Sequence, residues 1–277
     1  MTDSKLLDSA LSSSKWPEWQ WFDSIAKLLE ETLSKVQEHG SDELGALYPF
    51  LDSIVESASS LRSLINQLKL RDAYVISRVI YETAVNACFL LTNPKVLSDR
   101  ASTHAKQKAL RNLTRAVEVA GDKIFEVKHQ STDEILGIQH HQEWLQEFTS
   151  KSGREITSWT PENVQQRLEE VYLRFGNQQT RGLAFGLLLY RHASEIAHGT
   201  LFGTLFSWGA MEIGSPLRSP ADLGVFRRKE LRHLLKLVSF SLESLIRIVC
   251  SVIEMPEVSI RACRARTDYY DQRGENA

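Results

Sequence analysis

Four hydrogen-bonding side chains recur at helical spacing between residues 183 and 198. They are Tyr190, Arg191, Ser194 and His198. On a helix they project within about 100° of one another, and Glu195 falls just beyond the edge of this sector. An imidazole can transfer a proton, and a guanidinium can hold a phosphate in two hydrogen bonds and stabilise developing negative charge. The segment therefore predicts a polar helix face suited to proton transfer on an anionic substrate.

A second polar stripe interrupts an otherwise apolar segment at residues 75–91. Arg78, Glu82 and Asn86 are four residues apart and apolar side chains flank them, so we expect the stripe to be at least partly buried. Buried charge is costly unless it is paired, and Arg78 can pair with Glu82 one turn further on. An ion pair that fixes helix register explains these residues without any catalytic role. A structural role and a supporting role both remain open.

Composition and pattern predict an all-α fold. Hydrophobic residues make up 42% of the chain and charged residues 25%, and 14 Gly and 7 Pro are too few for a turn-rich β fold. No segment alternates cleanly enough to predict a strand. Without an internal repeat or a linker, residues 1–277 are predicted to form a single helical domain, a bundle of about eight helices, with flexible ends at 1–16 and 261–277.

Start and stop signals such as Pro17, Gly40, Pro94 and Gly199 place the helices along the chain. The predicted helices are about 17–39, 49–70, 72–91 with Asp72 as its cap, 96–120, 133–149, one that starts at 160–163 and ends before Gly176, 181–198, and 221–255. Residues 200–220, which are rich in Gly and Pro, are predicted to be an irregular loop.

Charge and cysteine content narrow the functional classes. A formal net charge of −2 excludes a chain-wide basic surface for nucleic acid, although it does not exclude a local basic patch. Cys88, Cys250 and Cys263 lack metal-ligand spacing and indicate free thiols in a reducing compartment. No secretory signal or stretch of roughly 20 apolar residues is evident, so we expect a cytoplasmic protein without a membrane anchor.

The two polar segments together resemble a known family. Arg78-Val-Ile-Tyr-Glu82, with Tyr190-Arg-His-Ala-Ser194-Glu-Ile-Ala-His198-Gly199, is similar to a bacterial family called domain of unknown function 5677. Arg191 and His198, separated by six residues, also resemble the Arg-x(4–6)-His motif of the HEPN superfamily. That superfamily consists of helical domains that include metal-independent ribonucleases of toxin and antiviral defence systems.

The HEPN resemblance implies a ribonuclease site with no metal and no cofactor. His198 would move a proton while the RNA 2′-hydroxyl attacks the neighbouring phosphate, and Arg191 would hold that phosphate. The resemblance also implies a homodimer with a composite site. Supporting roles fall to Tyr190, His192, Ser194, Glu195, Arg78, Glu82 and Asn86. The alternative is a non-catalytic interaction or regulatory module, with a protein partner encoded in the same operon and a polar network that is structural.

The sequence contains three further candidate ligand sites. Glu126-Val-Lys-His129 and Glu195-Ile-Ala-His198 share the Glu-x-x-His spacing of di-iron bundles, with Glu82 as a third ligand, but Glu195 lies off the Tyr190 face. The adjacent His140 and His141 point about 100° apart on a helix and are poorly placed to share a metal. The basic run 227–236, with Arg261, Arg264 and Arg266, fits either RNA phosphate binding or a solvated helix face.

Overall fold

The computed structural model describes residues 13–128, 141–210 and 219–274. Its elements in chain order are α1 (Pro17–His39), α2 (Leu47–Asn66), α3 (Leu70–Leu90), α4 (Pro94–Leu113), β1 (Thr114–Val119), β2 (Asp122–Lys128), α5 (His141–Glu147), α6 (Val164–Phe175), α7 (Asn177–Ala197), α8 (Leu201–Ser207), α9 (Pro220–Val252) and α10 (Pro256–Arg273). Ten helices and one small hairpin in the described part confirm the predicted all-α class. None of the described helices combines the length and apolar character needed to cross a bilayer.

The chain divides into two compact units. One comprises Met1–Thr92 with Val164–Ala277, and the other comprises Asn93–Asn163. The larger unit holds α1 to α3 and α6 to α10, and the smaller unit holds α4, the hairpin and α5. That all of these elements fold as one domain stays a prediction.

The long helix α9 forms the centre of the larger unit. It packs against α1, α3, α7 and α10, and it is buried on most sides between Leu231 and Cys250. Its start is well defined, because Ser219 accepts a hydrogen bond from the Asp222 backbone N–H at 3.2 Å and Pro220 occupies the first turn. This helix provides the surface against which α7 is positioned.

Two glycines let α7 approach its neighbours closely. A Cβ atom on Gly182 would lie 2.1 Å from the Phe240 carbonyl oxygen of α9, and one on Gly186 would lie 2.2 Å from the Tyr81 ring of α3. The Tyr81 hydroxyl donates a hydrogen bond to the Leu183 carbonyl at 3.0 Å. Helix α7 is therefore held between α3 and α9 along its first three turns.

Two predictions are wrong in the smaller unit: the chain does contain strands, and the fourth helix does not run to residue 120. Helix α4 ends at Leu113, and β1 and β2 pair as an antiparallel hairpin. Ala120 and Gly121, with φ of 54° and 91°, form the two-residue turn that this geometry requires. The described strand side chains are exposed, so no buried face imposes a clean apolar alternation on the sequence.

Two further expectations were wrong. Residues 200–220 are not all irregular, because Thr200 accepts a hydrogen bond from the Gly203 N–H and caps α8. Helix α3 begins at Leu70 without a side-chain cap, so Asp72 lies in its first turn. Residues 261–273 lie in α10, where Val258, Ala262 and Tyr269 are buried, and a flexible end at 261–277 stays a prediction. Of the other predicted flexible end, residues 1–12 lie outside the described part, as do 129–140 of the predicted fifth helix.

Candidate functional site

Arg191 and His198 lie on the exposed side of α7, at its carboxyl-terminal end. Seven residues correspond to about two helical turns, so the two Cα atoms are about 10 Å apart along the axis and differ by only about 20° around it. His198 keeps helical geometry as the C-cap, because its N–H donates to the Ser194 carbonyl at 3.0 Å. Both side chains are exposed to solvent. The predicted catalytic pair therefore shares one accessible helix face.

The Arg191 guanidinium is available to an anion. It donates one hydrogen bond, 3.4 Å long, to the Gln165 side chain of α6, and it pairs with no carboxylate among the residues that the structure describes. A neutral amide orients a guanidinium without neutralising it. Arg191 thus keeps its full charge and most of its N–H donors facing solvent.

The other polar residues of α7 differ in their surroundings. Glu195 is exposed and Ser194 is half-buried. Tyr190 is half-buried too, with the Arg78 guanidinium 5.3 Å from the centre of its ring and the Tyr81 ring 5.9 Å away. Tyr190 therefore connects the exposed face of α7 to the polar stripe of α3.

That stripe is partly buried, as the sequence predicted. Arg78 and Glu82 form an ion pair with a closest N···O distance of 3.9 Å, and their side chains are 22% and 37% exposed. Asn86, one turn further on, accepts a hydrogen bond from Arg167 of α6. Together these contacts position α6 and α7 against α3.

His192 lies away from the exposed face. It is about 100° around α7 from Arg191, and its ring packs edge-on against Tyr74, Phe202 and Phe206 at centroid distances of 5.3, 5.4 and 4.3 Å. Burial lowers the pKa of His192, and the negative charge of Glu230 only partly opposes this effect. The imidazole is therefore part of an aromatic cluster that joins α8 to α3 and α7.

The described residues contain no group of three His, Cys, Asp or Glu side chains arranged to hold a metal ion. Glu126 is exposed on β2 and pairs with Lys123. His129 and His140 lie outside the described residues, so the Glu126-x-x-His129 and His140-His141 candidates fall partly outside the part of the chain that the structure describes.

Sequence reasoning missed the contribution of α6. Gln165 contacts Arg191, and Arg167, only 6% exposed, contacts Asn86. Arg167 and Asn86 are 81 residues apart in sequence. No local pattern could pair them, although an arginine on an amphipathic helix could have been noted as a candidate buried cation.

Fold and site define this chain as a helical-bundle protein with an exposed Arg–His face on a central helix. A family described as a family of unknown function, DUF5677, matches residues 45–210, which include α2 through α8 and both polar stripes. The protein belongs to this family. No curated protein and no solved structure shows detectable similarity to the chain.

Proposed function

We propose that this protein is a metal-independent endoribonuclease acting in the cytoplasm, within a bacterial toxin or antiviral defence system. The observation that carries the proposal is the exposure of Arg191 and His198 on one face of α7, with Arg191 unpaired with any described carboxylate. The spacing of the two residues resembles the HEPN motif, and the phosphodiester of RNA fits a guanidinium beside an imidazole.

The chemistry needs one proton acceptor and one anion-stabilising group. His198 takes the proton of the ribose 2′-hydroxyl, whose oxygen forms a bond to phosphorus as the bond to the 5′-oxygen breaks. The products are a 2′,3′-cyclic phosphate and a 5′-hydroxyl, which receives a proton. Arg191 holds the phosphate oxygens and stabilises their extra negative charge in the transition state.

A homodimer would supply the second proton-transfer group. In the proposed dimer, His198 of the other copy protonates the leaving 5′-oxygen. Leu188 supports a contact here, because it lies one turn before Arg191 on the same side of α7 and is 66% exposed. Tyr190, Ser194 and Glu195 orient the reacting groups, Arg78, Glu82 and Asn86 hold α7 in place, and His192 contributes through its packing.

The decisive experiment measures cleavage of a varied RNA pool in the presence of a chelator. We expect His198→Ala to reduce cleavage by about 10²- to 10⁴-fold, the usual contribution of a general acid or base. His39→Ala is the matched control, because His39 is also an exposed histidine at a helix end, directly before a left-handed glycine, Gly40. The control should cleave normally, and both variants should melt close to wild type, as exposed substitutions do.

Arg191→Lys tests the second group. It keeps the charge but loses the two-pronged hydrogen bonding, so cleavage should fall while thermal stability is unchanged. Wild-type protein that cleaves no RNA in the pool, or equal cleavage by His198→Ala and wild type, would overturn the proposal.

A second candidate is a non-catalytic module that binds a partner protein encoded in the same operon. It is favoured by two strongly exposed leucines on the adjacent helices α6 and α7, Leu173 at 75% and Leu188 at 66%. In this case the contacts of Arg78, Asn86 and Arg167 are purely structural. Loss of partner binding in Leu173→Ser and Leu188→Ser, with no cleavage by wild type, would favour this function.

A further inference from the structure

Two clefts in the larger unit meet at one lysine of α9. The first, of about 690 Å³, lies between the start of α7, the middle of α9 and the end of α10. The second, of about 500 Å³, lies between the start of α1, the first half of α9 and the end of α10. Lys236 lines both. The two clefts therefore adjoin along α9 and form one depression. Its α7 residues lie within the region that the family model matches, and its other lining residues lie outside that region.

This depression is strongly basic in a chain whose net charge is −2. Among the described residues, eight Lys and Arg side chains line it, against two carboxylates, Glu18 and Glu243. Both carboxylates are buried, at 3% and 2% exposure. Glu18 pairs with Arg232 and Glu243 pairs with Arg266, so each carboxylate lies beneath the arginine that it positions. The charge facing solvent is therefore positive.

The two carboxylates position arginines at the edge of the depression but neutralise only part of its positive charge. Glu18 accepts hydrogen bonds from Arg232 at 2.9 and 3.2 Å and from Arg273 at 2.6 Å, yet these arginine side chains remain 42% and 32% exposed. Glu243 pairs with Arg266 at 2.9 Å. Arg232 and Arg266 are thus fixed in place with N–H groups still accessible.

Two further cations of the first cleft, Arg181 and Lys236, lie over aromatic rings. The Arg181 guanidinium lies 5.6 Å from the centre of the Phe185 ring, and the Lys236 ammonium lies 5.7 Å from that of Tyr270. Neither cation pairs with a carboxylate in the described part of the chain. Phe240, 5.4 Å from Phe185 between ring centroids, completes an apolar wall.

The backbone adds a further anion-binding element to the first cleft. Helix α7 begins after Gly176 without a side-chain cap, and its first residues, Asn177 and Gln178, line the cleft. The uncapped N–H groups at a helix start favour negative charge. They reinforce the unpaired Arg181 and Lys236 side chains.

We propose that this depression binds a single strand of RNA, with its phosphates on Arg181, Lys236 and Arg232 and its bases against Phe185, Phe240 and Tyr270. Basic grooves interleaved with aromatic side chains bind single strands in this way without sequence preference. The identity of the strand as RNA rests on the proposed function. Arg181 precedes Arg191 by ten residues on the same helix, α7, which corresponds to about 15 Å along its axis.

The test uses fluorescence anisotropy with the full chain and a labelled 2′-O-methyl oligonucleotide, which binds but has no 2′-hydroxyl to attack. The groove variant is Arg181→Gln with Lys236→Gln. The control is Lys69→Gln with Arg174→Gln, which removes one exposed lysine and one exposed arginine of the same unit outside both clefts. Circular dichroism melting checks that both double variants fold.

Loss of two phosphate contacts should reduce the slope of log affinity against log salt by about 1.4, which corresponds to about 25-fold weaker binding at 0.1 M salt. The control should bind like wild type. Equal binding by the groove variant and wild type, equal losses in both variants, or no binding by wild type at low salt would each overturn the proposal.

Competition separates a strand from a free nucleotide. AMP and inorganic phosphate should displace the oligonucleotide only at far higher concentrations, because each occupies one position of the groove. Displacement by AMP at equal concentration would overturn the single-strand assignment. Because the oligonucleotide cannot be cleaved, its binding can be measured independently of cleavage. If wild type binds the oligonucleotide but cleaves no RNA, only the proposed nuclease function is refuted. If wild type cleaves RNA and the groove variant binds as tightly as wild type, only the proposed binding groove is refuted.

Discussion

Substitution of Gly182 by alanine tests whether close contact between α7 and α9 positions the candidate site. The new Cβ atom would lie 2.1 Å from the Phe240 carbonyl oxygen and 2.6 Å from Ser244 Oγ. Ordinary contacts between heavy atoms are about 3.5 Å, so the helices must separate by about 1 Å or more. Because the nearest atom belongs to backbone inside a helix, it cannot simply rotate away.

The size of the effect follows from three contributions. Overpacking of this kind costs about 1 to 3 kcal/mol, and the Gly182 N–H is drawn away from Ser244 Oγ, now 3.1 Å away, at a cost of about 1 kcal/mol. Alanine in a helix recovers about 1 kcal/mol relative to glycine. We therefore expect Gly182→Ala to lower the free energy of unfolding by about 2 kcal/mol and the melting temperature by about 4 to 8 °C.

Gly224→Ala is the matched control for this substitution. Gly224 is also a helical glycine, in α9, but a Cβ atom there would meet only the flexible end of Arg228 at 3.5 Å. Here the helix propensity acts alone, so the variant should melt about 1 to 4 °C above wild type. The assay is thermal unfolding followed by circular dichroism. If the two variants shift the melting temperature in the same direction, the close approach of α7 and α9 is refuted.

Three further predictions concern buried polar groups of the larger unit. Glu18→Gln should lower the free energy of unfolding by about 2 kcal/mol, because it removes the charge that pairs with Arg232. Burial acts to raise the pKa of Glu18, but the hydrogen bonds and charge of Arg232 hold this pKa below the ordinary 4.5. Wild type should therefore lose stability in urea titrations as pH falls from about 4.5, and an equal loss in the variant would contradict this. Because burial lowers the pKa of His192 in the folded protein, this residue should cost stability as pH falls below 6.5, and His192→Phe should reduce that loss. Melting curves between about pH 5 and 7.5 test this, and an unchanged slope of melting temperature against pH would refute it. Tyr81→Phe removes the hydrogen bond that the Tyr81 hydroxyl donates to the Leu183 carbonyl and should cost about 1 kcal/mol in urea unfolding. A cost near zero would show that this hydrogen bond does not stabilise the fold.

Helices with a continuous apolar stripe were predicted closely, and elements without one were not. Helix α1 was expected at 17–39 and spans Pro17–His39. Helix α10 was missed because only Val258, Ala262 and Tyr269 of its residues are buried, so its stripe is thin and its sequence is mostly charged. The hairpin was missed because neither of its described faces is buried.

The sequence by itself determined the all-α class and the shared helix face of Arg191 and His198, because helical periodicity depends only on residues within a few turns. It could not determine which faces are covered. Tertiary structure decided that His192 joins an aromatic cluster, that Gln165 contacts Arg191, and that basic residues of α7, α9 and α10 line one depression. Those outcomes depend on which helices pack together, and such contacts join residues far apart in the chain.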